Sequence, residues 1–129
     1  MPRTQLVFFM ADDGTIPVRD WLAQLQQRQR RAFARCVVRI RRLGQLGHEL
    51  RRPEADLLRD GIYELRVREG RVQYRLLYFF HGRNAAVLAH ALTKEAKVPK
   101  ADIDRAVKRK AQFESDPASH SYLEEIPDA

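Results

Sequence analysis

Gly61–Arg83, GIYELRVREGRVQYRLLYFFHGR, reads as two strands joined by a tight turn. Glu69-Gly70 is the expected turn, with Gly70 supplying the positive φ that a two-residue hairpin loop needs. Placing Arg68 opposite Arg71 sets Val67 against Val72, Leu65 against Tyr74 and Tyr63 against Leu76, an apolar face throughout. The other face pairs Arg66 with Gln73 and Glu64 with Arg75, then turns apolar at Leu77 and Phe79. A slip of one residue puts Arg66 opposite Tyr74 and mixes the faces, so the pattern selects its own register. Two arginines on one face in mid-sheet are costly unless an anion visits or Glu64 neutralises them. That tension is the first functional clue.

Outward from the hairpin, the chain alternates between clear elements and breaks. Thr4–Met10 is a short continuous apolar run, expected as a strand buried on both faces. Asp12-Asp13-Gly14 turns the chain, Thr15 is a candidate helix cap and Pro17 is tolerated in the first helical turn. Val18, Trp21, Leu22 and Leu25 then make one apolar stripe, with a break at Gln26–Arg28. A second helix, from about Gln29 to Leu46, buries Phe33, Cys36, Val37, Ile40 and Leu43 and ends at Gly44 and Gly47. Arg51–Asp60 reads as a linker broken by Pro53. After the hairpin come a strand, Ala86–Thr93, and a final helix from Val98-Pro99 to about Phe113. Asp102 and Asp104 in its first turn and Lys108, Arg109 and Lys110 in its last suit the helix dipole. Glu114–Ala129 holds five acids and no lysine or arginine and reads as a mobile acidic tail.

The expected fold class is therefore α+β: a small, mainly antiparallel sheet with a helical hairpin on one face, in the order β-α-α-β-β-β-α. One domain over residues 1–113 with a tail over 114–129 fits a chain of 129 residues. With 44% hydrophobic and 32% charged residues the composition is that of a soluble globular protein. No apolar run approaches a membrane span, no cleavable leader is expected, and a single cysteine, Cys36, fits a reducing compartment, so the cytoplasm is the expected location.

A net charge of +7 points to a polyanion or an acidic protein partner. Nine arginines and one acid, Glu49, between Arg28 and Arg52 concentrate it. On that helix Arg31, Arg35, Arg39 and Arg42 share a face that is either a solvated surface or a groove for RNA or an acidic protein. Metal chemistry has no support: His48, His81, His90 and His120 are scattered, and no metal or other cofactor is expected. No serine or cysteine sits in a nucleophile elbow and no glycine-rich phosphate loop occurs. What remains is chemistry by cations and general acid–base groups. Arg66 and Arg75 could grip a phosphate with paired donors, or Glu64 could simply pair with Arg75 across the strands. Lys94 and Lys97 flank the exit of the last strand, beside a helix N-terminus. His90, in a strand of alanines and leucines, is a structural residue or a general acid–base.

The run Asp60-Gly61-Ile62-Tyr63-Glu64-Leu65-Arg66, then Tyr74–Phe80, then His90-Ala91-Leu92-Thr93-Lys94-Glu95 and Lys97-Val98-Pro99, resembles the toxins of the RelE/ParE superfamily. It looks closest to their HigB-type, phage-derived branch, over roughly Gln5 to Phe113. The resemblance implies the toxin of a type II toxin–antitoxin pair, a metal-independent endoribonuclease that cleaves mRNA on the ribosome. Basic residues of the open sheet face would bind the RNA backbone while the ribose 2′-hydroxyl attacks the adjacent phosphate. Carried over by motif, Arg66, Arg75 and Lys94 are the catalytic positions, with His90 beside them and Lys97 on the RNA. The implied partners are a small helix-turn-helix antitoxin, the ribosome and mRNA, with operator DNA reached only through the antitoxin complex. Leu92 and Glu95 stand where many relatives have an aromatic and a second lysine, and the segment before Pro99 is one residue shorter. Relatives of the ParE kind share the fold yet inhibit DNA gyrase without catalysis, and a degenerate basic interaction module is the third alternative.

Overall fold

A computed structural model describes residues 3–93 and 96–126. Among these residues six strands form one sheet in the order β2-β3-β4-β5-β1-β6, and three α-helices pack on it, an α+β architecture. Strand β1 (Gln5–Phe9) runs parallel to β5 (Ala85–Thr93), with Leu6 beside Ala86 and Phe8 beside Leu88. Helix α1 (Pro17–Arg28) starts with proline at its first position, where a missing amide costs nothing. Thr15 does not cap it; its hydroxyl and amide turn back to Asp13. Gln29 alone separates α1 from α2 (Arg30–Leu46). Gly44 lies inside α2, where Leu6 approaches too closely for a larger residue to fit freely; Gly47, at φ 54°, ends the helix against Thr4.

The stretch expected as a linker holds a strand. β2 (Ala55–Arg59) pairs antiparallel with β3 (Ile62–Glu69) through a two-residue loop, Asp60-Gly61. Both loop residues have positive φ, 52° and 76°, the conformation that makes Asp-Gly a strong hairpin signal. The central hairpin is also corrected. Its loop is Gly70-Arg71, leading into β4 (Val72–His81), so Gly70 takes the first loop position and Glu69 pairs with Val72. Positive φ at the first position only is the other favoured hairpin geometry. The register moves by two residues, which keeps every side chain on its expected face. It changes the partners: Val67 meets Tyr74, Leu65 meets Leu76, Tyr63 meets Tyr78, and Arg66 stands opposite Arg75 rather than Gln73.

Each sheet face has its own core. Under α1 and α2, Phe8, Leu65, Tyr74, Leu76, Tyr78 and Leu88 pack on Val18, Leu22, Cys36, Ile40 and Leu43. Under α3 (Lys100–Ser115), Leu77, Phe79, Val87 and Ala89 pack on Val98, Ala106 and Phe113. The apolar turn at Leu77 and Phe79 is thus the seat of α3. The acidic tail is not loose over its described part. His120 is buried, stacks on Phe9 with ring centroids 5.5 Å apart and reaches the Met10 carbonyl at 2.7 Å. Strand β6 (Ser121–Tyr122) pairs with β1, and Ile126 rests on the core under α1 and α2.

Candidate functional site

Beyond the edge of α3, the α3-side sheet face carries a row of alternating charge across β2, β3 and β4. Arg52 donates to Asp56 at 2.7 Å, and Asp56 accepts from Arg66 Nη2 at 3.3 Å. Arg66 Nε donates to Glu64 Oε1 at 2.9 Å, and the same oxygen accepts from Arg75 Nη1. Arg75 Nη2 closes the row on the Ala96 carbonyl at 3.0 Å, tying the segment after β5 to the sheet. The two-residue register shift creates this arrangement. Arginines directly opposite each other repel, and Glu64, only 3% exposed, sits diagonally between them as the common acceptor.

The two arginines differ in what they can still do. Arg75 is 9% exposed, has both terminal nitrogens committed, and its Nε is buried with no acceptor among the described residues. It is placed to hold Glu64 and the Ala96 segment. The Arg66 side chain is 33% exposed, and its Nη1 has no partner among the described residues. It presents an oriented guanidinium edge to solvent, the geometry that grips phosphate oxygens. Three arginines against two carboxylates leave the row with one excess positive charge. Asp56 is held ionised by the Arg52 guanidinium hydrogen-bonded to it, which keeps its carboxyl below the usual range.

Lys97 follows Ala96 and is exposed at the same end of the sheet. Lys94 lies outside the described residues. His90 shares the sheet face but not the cluster. Leu77 separates it from Glu64 in the cross-strand row, and a bulge at Ala89 turns it towards α3. Its Nε2 lies 2.7 Å from Asp102 Oδ1, and Arg109 Nη1, 3.2 Å away and also bonded to the Ala89 carbonyl, can donate to Nδ1. Burial pulls the imidazole pKa below its ordinary value, partly opposed by Asp102. Neither ring nitrogen is free to take a substrate proton in this arrangement.

The arginine face of α2 turns partly inwards. Arg42 makes a two-pronged contact with Glu54, one bond at 2.7 Å; Arg39 lies 3.6 Å from the same carboxylate and donates to the Arg66 carbonyl at 2.8 Å. Arg35 meets Glu69 at 2.6 Å. Arg31 is exposed and has no acidic partner among the described residues. Arg35 and Arg39 therefore tie α2 to β3 and Arg42 ties it to Glu54 just before β2, while Arg31 and the exposed side of Arg35 border an open groove of about 520 Å³. Sequence reasoning missed Glu54 and Asp56, the acids that orient Arg39, Arg42 and Arg66. The Asp60-Gly61 hairpin signal was the feature that could have placed Asp56 on a strand, with Glu54 just before it. Among the described residues no group of His, Cys, Asp and Glu is arranged to hold a metal ion, and no helix is long and apolar enough to cross a membrane.

The family model described as phage derived protein Gp49-like (DUF891) matches residues 20–111, and the chain belongs to that family, which is toxin-like and lies in the RelE/HigB area. No curated protein matches the chain.

Proposed function

We propose that this Gp49-like protein is the toxin of a type II toxin–antitoxin pair and acts as a ribosome-dependent mRNA endoribonuclease of HigB type. The observation that carries the reading is Arg66: a guanidinium oriented by two carboxylates, one third open to solvent, in a member of a phage-derived, toxin-like family. In the reaction the ribose 2′-oxygen bonds to the adjacent phosphorus and the bond from phosphorus to the 5′-oxygen breaks. A proton leaves the 2′-oxygen, one arrives at the departing 5′-oxygen, and the products are a 2′,3′-cyclic phosphate and a 5′-hydroxyl. Arg66 would contact the phosphoryl oxygens, where charge accumulates. Arg75 positions Glu64 and the Ala96 segment, which leads into Lys97; Lys97 would bind the RNA, and Lys94, by motif, would act at the scissile phosphate. His90, held by Asp102 and Arg109, would serve the site through α3 rather than by proton transfer.

A helix-turn-helix antitoxin would neutralise the protein, and the pair would bind its own operator. A non-catalytic toxin acting on gyrase is the second reading, favoured by the engagement of both His90 nitrogens. Expression of the chain alone should arrest growth, and the adjacent gene should relieve the arrest. Mapping of mRNA 5′ ends during arrest separates the readings. New ends within coding regions support cleavage; intact mRNA with lost supercoiling supports the gyrase reading.

A further inference from the structure

Beside the outer edge of β2 lies a groove of about 450 Å³ that shares only Arg52 and Asp56 with the charged row. His48, exposed on the turn after α2, stacks flat on Phe80, with centroids 3.6 Å apart and an interplanar angle of 24°. Tyr63 stacks on Tyr78 at 5.4 Å and meets the edge of Phe80 at 5.3 Å. Both outer rings line the groove, with the rings behind them fixing their planes. Leu57, 53% exposed, adds apolar surface, and Arg51 stands on the rim with no acidic partner among the described residues. An exposed ring, His48, with the half-buried Tyr63 beside it and a free guanidinium on the rim, is what an unpaired base and its phosphate need, since every base has a stacking face and the phosphate takes the cation.

We propose that this groove is a nucleotide-binding subsite for single-stranded RNA, with one base stacked on His48, the Tyr63 ring steeply inclined beside it, and its phosphate on Arg51. The proposal rests on the RNA-cleaving reading and deepens it. Asp56 connects the two places: it lines the groove and accepts from both Arg52 and Arg66, so the rim and the candidate phosphate contact are two ends of one ion-pair chain. Those arginines neutralise Asp56, so its carboxylate does not bar an RNA backbone from crossing β2. The rings are already stacked on their neighbours, so binding need not order them first. Arg51 calls for an anion and the His48 ring for a planar partner, two features that a nucleotide combines and an ordinary peptide does not.

The test is fluorescence anisotropy of a labelled ten-nucleotide oligoadenylate against the full chain over a range of salt concentrations. Ribosome-dependent mRNA cleavage and thermal melts are run on the same preparations. His48→Ala should weaken oligonucleotide binding roughly 5- to 150-fold, the range for loss of one base stack. His48→Phe should retain binding. Arg51→Ala should flatten the salt dependence by about 0.7 of a unit in slope, one single-strand phosphate contact. Both side chains are exposed, so both variants should remain folded in the melts, with only a small loss in His48→Ala from its stack on Phe80. Cleavage by wild type together with unchanged binding and slope in His48→Ala and Arg51→Ala would overturn the subsite and leave the proposed function standing. If wild type neither binds the oligonucleotide nor cuts mRNA, both fall. If the two substitutions spare RNA binding but abolish capture of the antitoxin, the groove is a protein-docking surface and the subsite is overturned.

Discussion

Glu64→Gln removes one charge at the centre of the row and nearly nothing in volume. The carboxylate is 3% exposed and is shared by two arginines that stand opposite each other. With an amide in its place, Arg75 is left as a cation only 9% exposed, facing Arg66 without an intervening negative charge. Stranding one member of a buried pair costs about 3–5 kcal/mol. The lower end applies here, because Arg66 is a third exposed and keeps Asp56. Unfolding entropy of about 2.1 cal/mol/K per residue, over 129 residues, gives ~0.27 kcal/mol/K near the midpoint. A loss of about 3 kcal/mol therefore lowers Tm by about 11 °C. Calorimetry at neutral pH measures it. Adding Arg75→Met to Glu64→Gln removes the stranded cation and should recover at least half of the loss. A Glu64→Gln protein that melts within about 2 °C of wild type would refute the claim that this carboxylate clamps the two cations.

His90 makes a pH prediction. Its folded pKa is depressed below the ordinary 6.5, chiefly by burial, so the unfolded chain binds the proton more readily. Stability is then full above about pH 6.5 and is lost as pH falls towards the folded value, and His90→Gln should flatten that limb in urea titrations at stepped pH. Cys36 is buried and its thiol is pushed up to about 12 by desolvation, so iodoacetamide at pH 8 should label it only on unfolding, as read by mass spectrometry. His120→Ala removes the stack on Phe9 and the bond to the Met10 carbonyl. It should cost about 2 kcal/mol and open the chain after Ser115 to limited proteolysis.

The helices were legible because apolar residues recur at helical spacing and Gly47 marks the end of α2. The two faces of the hairpin were legible for a different reason: side chains alternate with period two, so a register error of two residues leaves the faces intact. The opposed arginines were hidden by that same error, because the choice of loop position for Gly70 decides who faces Arg66. Strand β2 is short, carries an acid and two exposed or half-buried leucines, and follows Pro53, so it lacked any alternation to betray it. Strand β6 has two residues, and its anchor is His120, a polar residue whose burial comes from packing on Phe9. The partners of His90 could not be read at all, since Asp102 and Arg109 come from a helix whose docking face is set by Leu77 and Phe79.

The central claim is that Arg66 contacts the scissile phosphate while Arg75 and Glu64 hold it there. It is tested most directly by mapping mRNA 5′ ends on translating ribosomes with wild type and Arg66→Gln. Melting curves on both proteins confirm that each is folded. Wild type should generate new 5′ ends, and the folded Arg66→Gln protein should cut roughly 100- to 1000-fold more slowly, the usual consequence of losing one preorganised donor. A folded Arg66→Gln protein that cuts at the wild-type rate would contradict the claim.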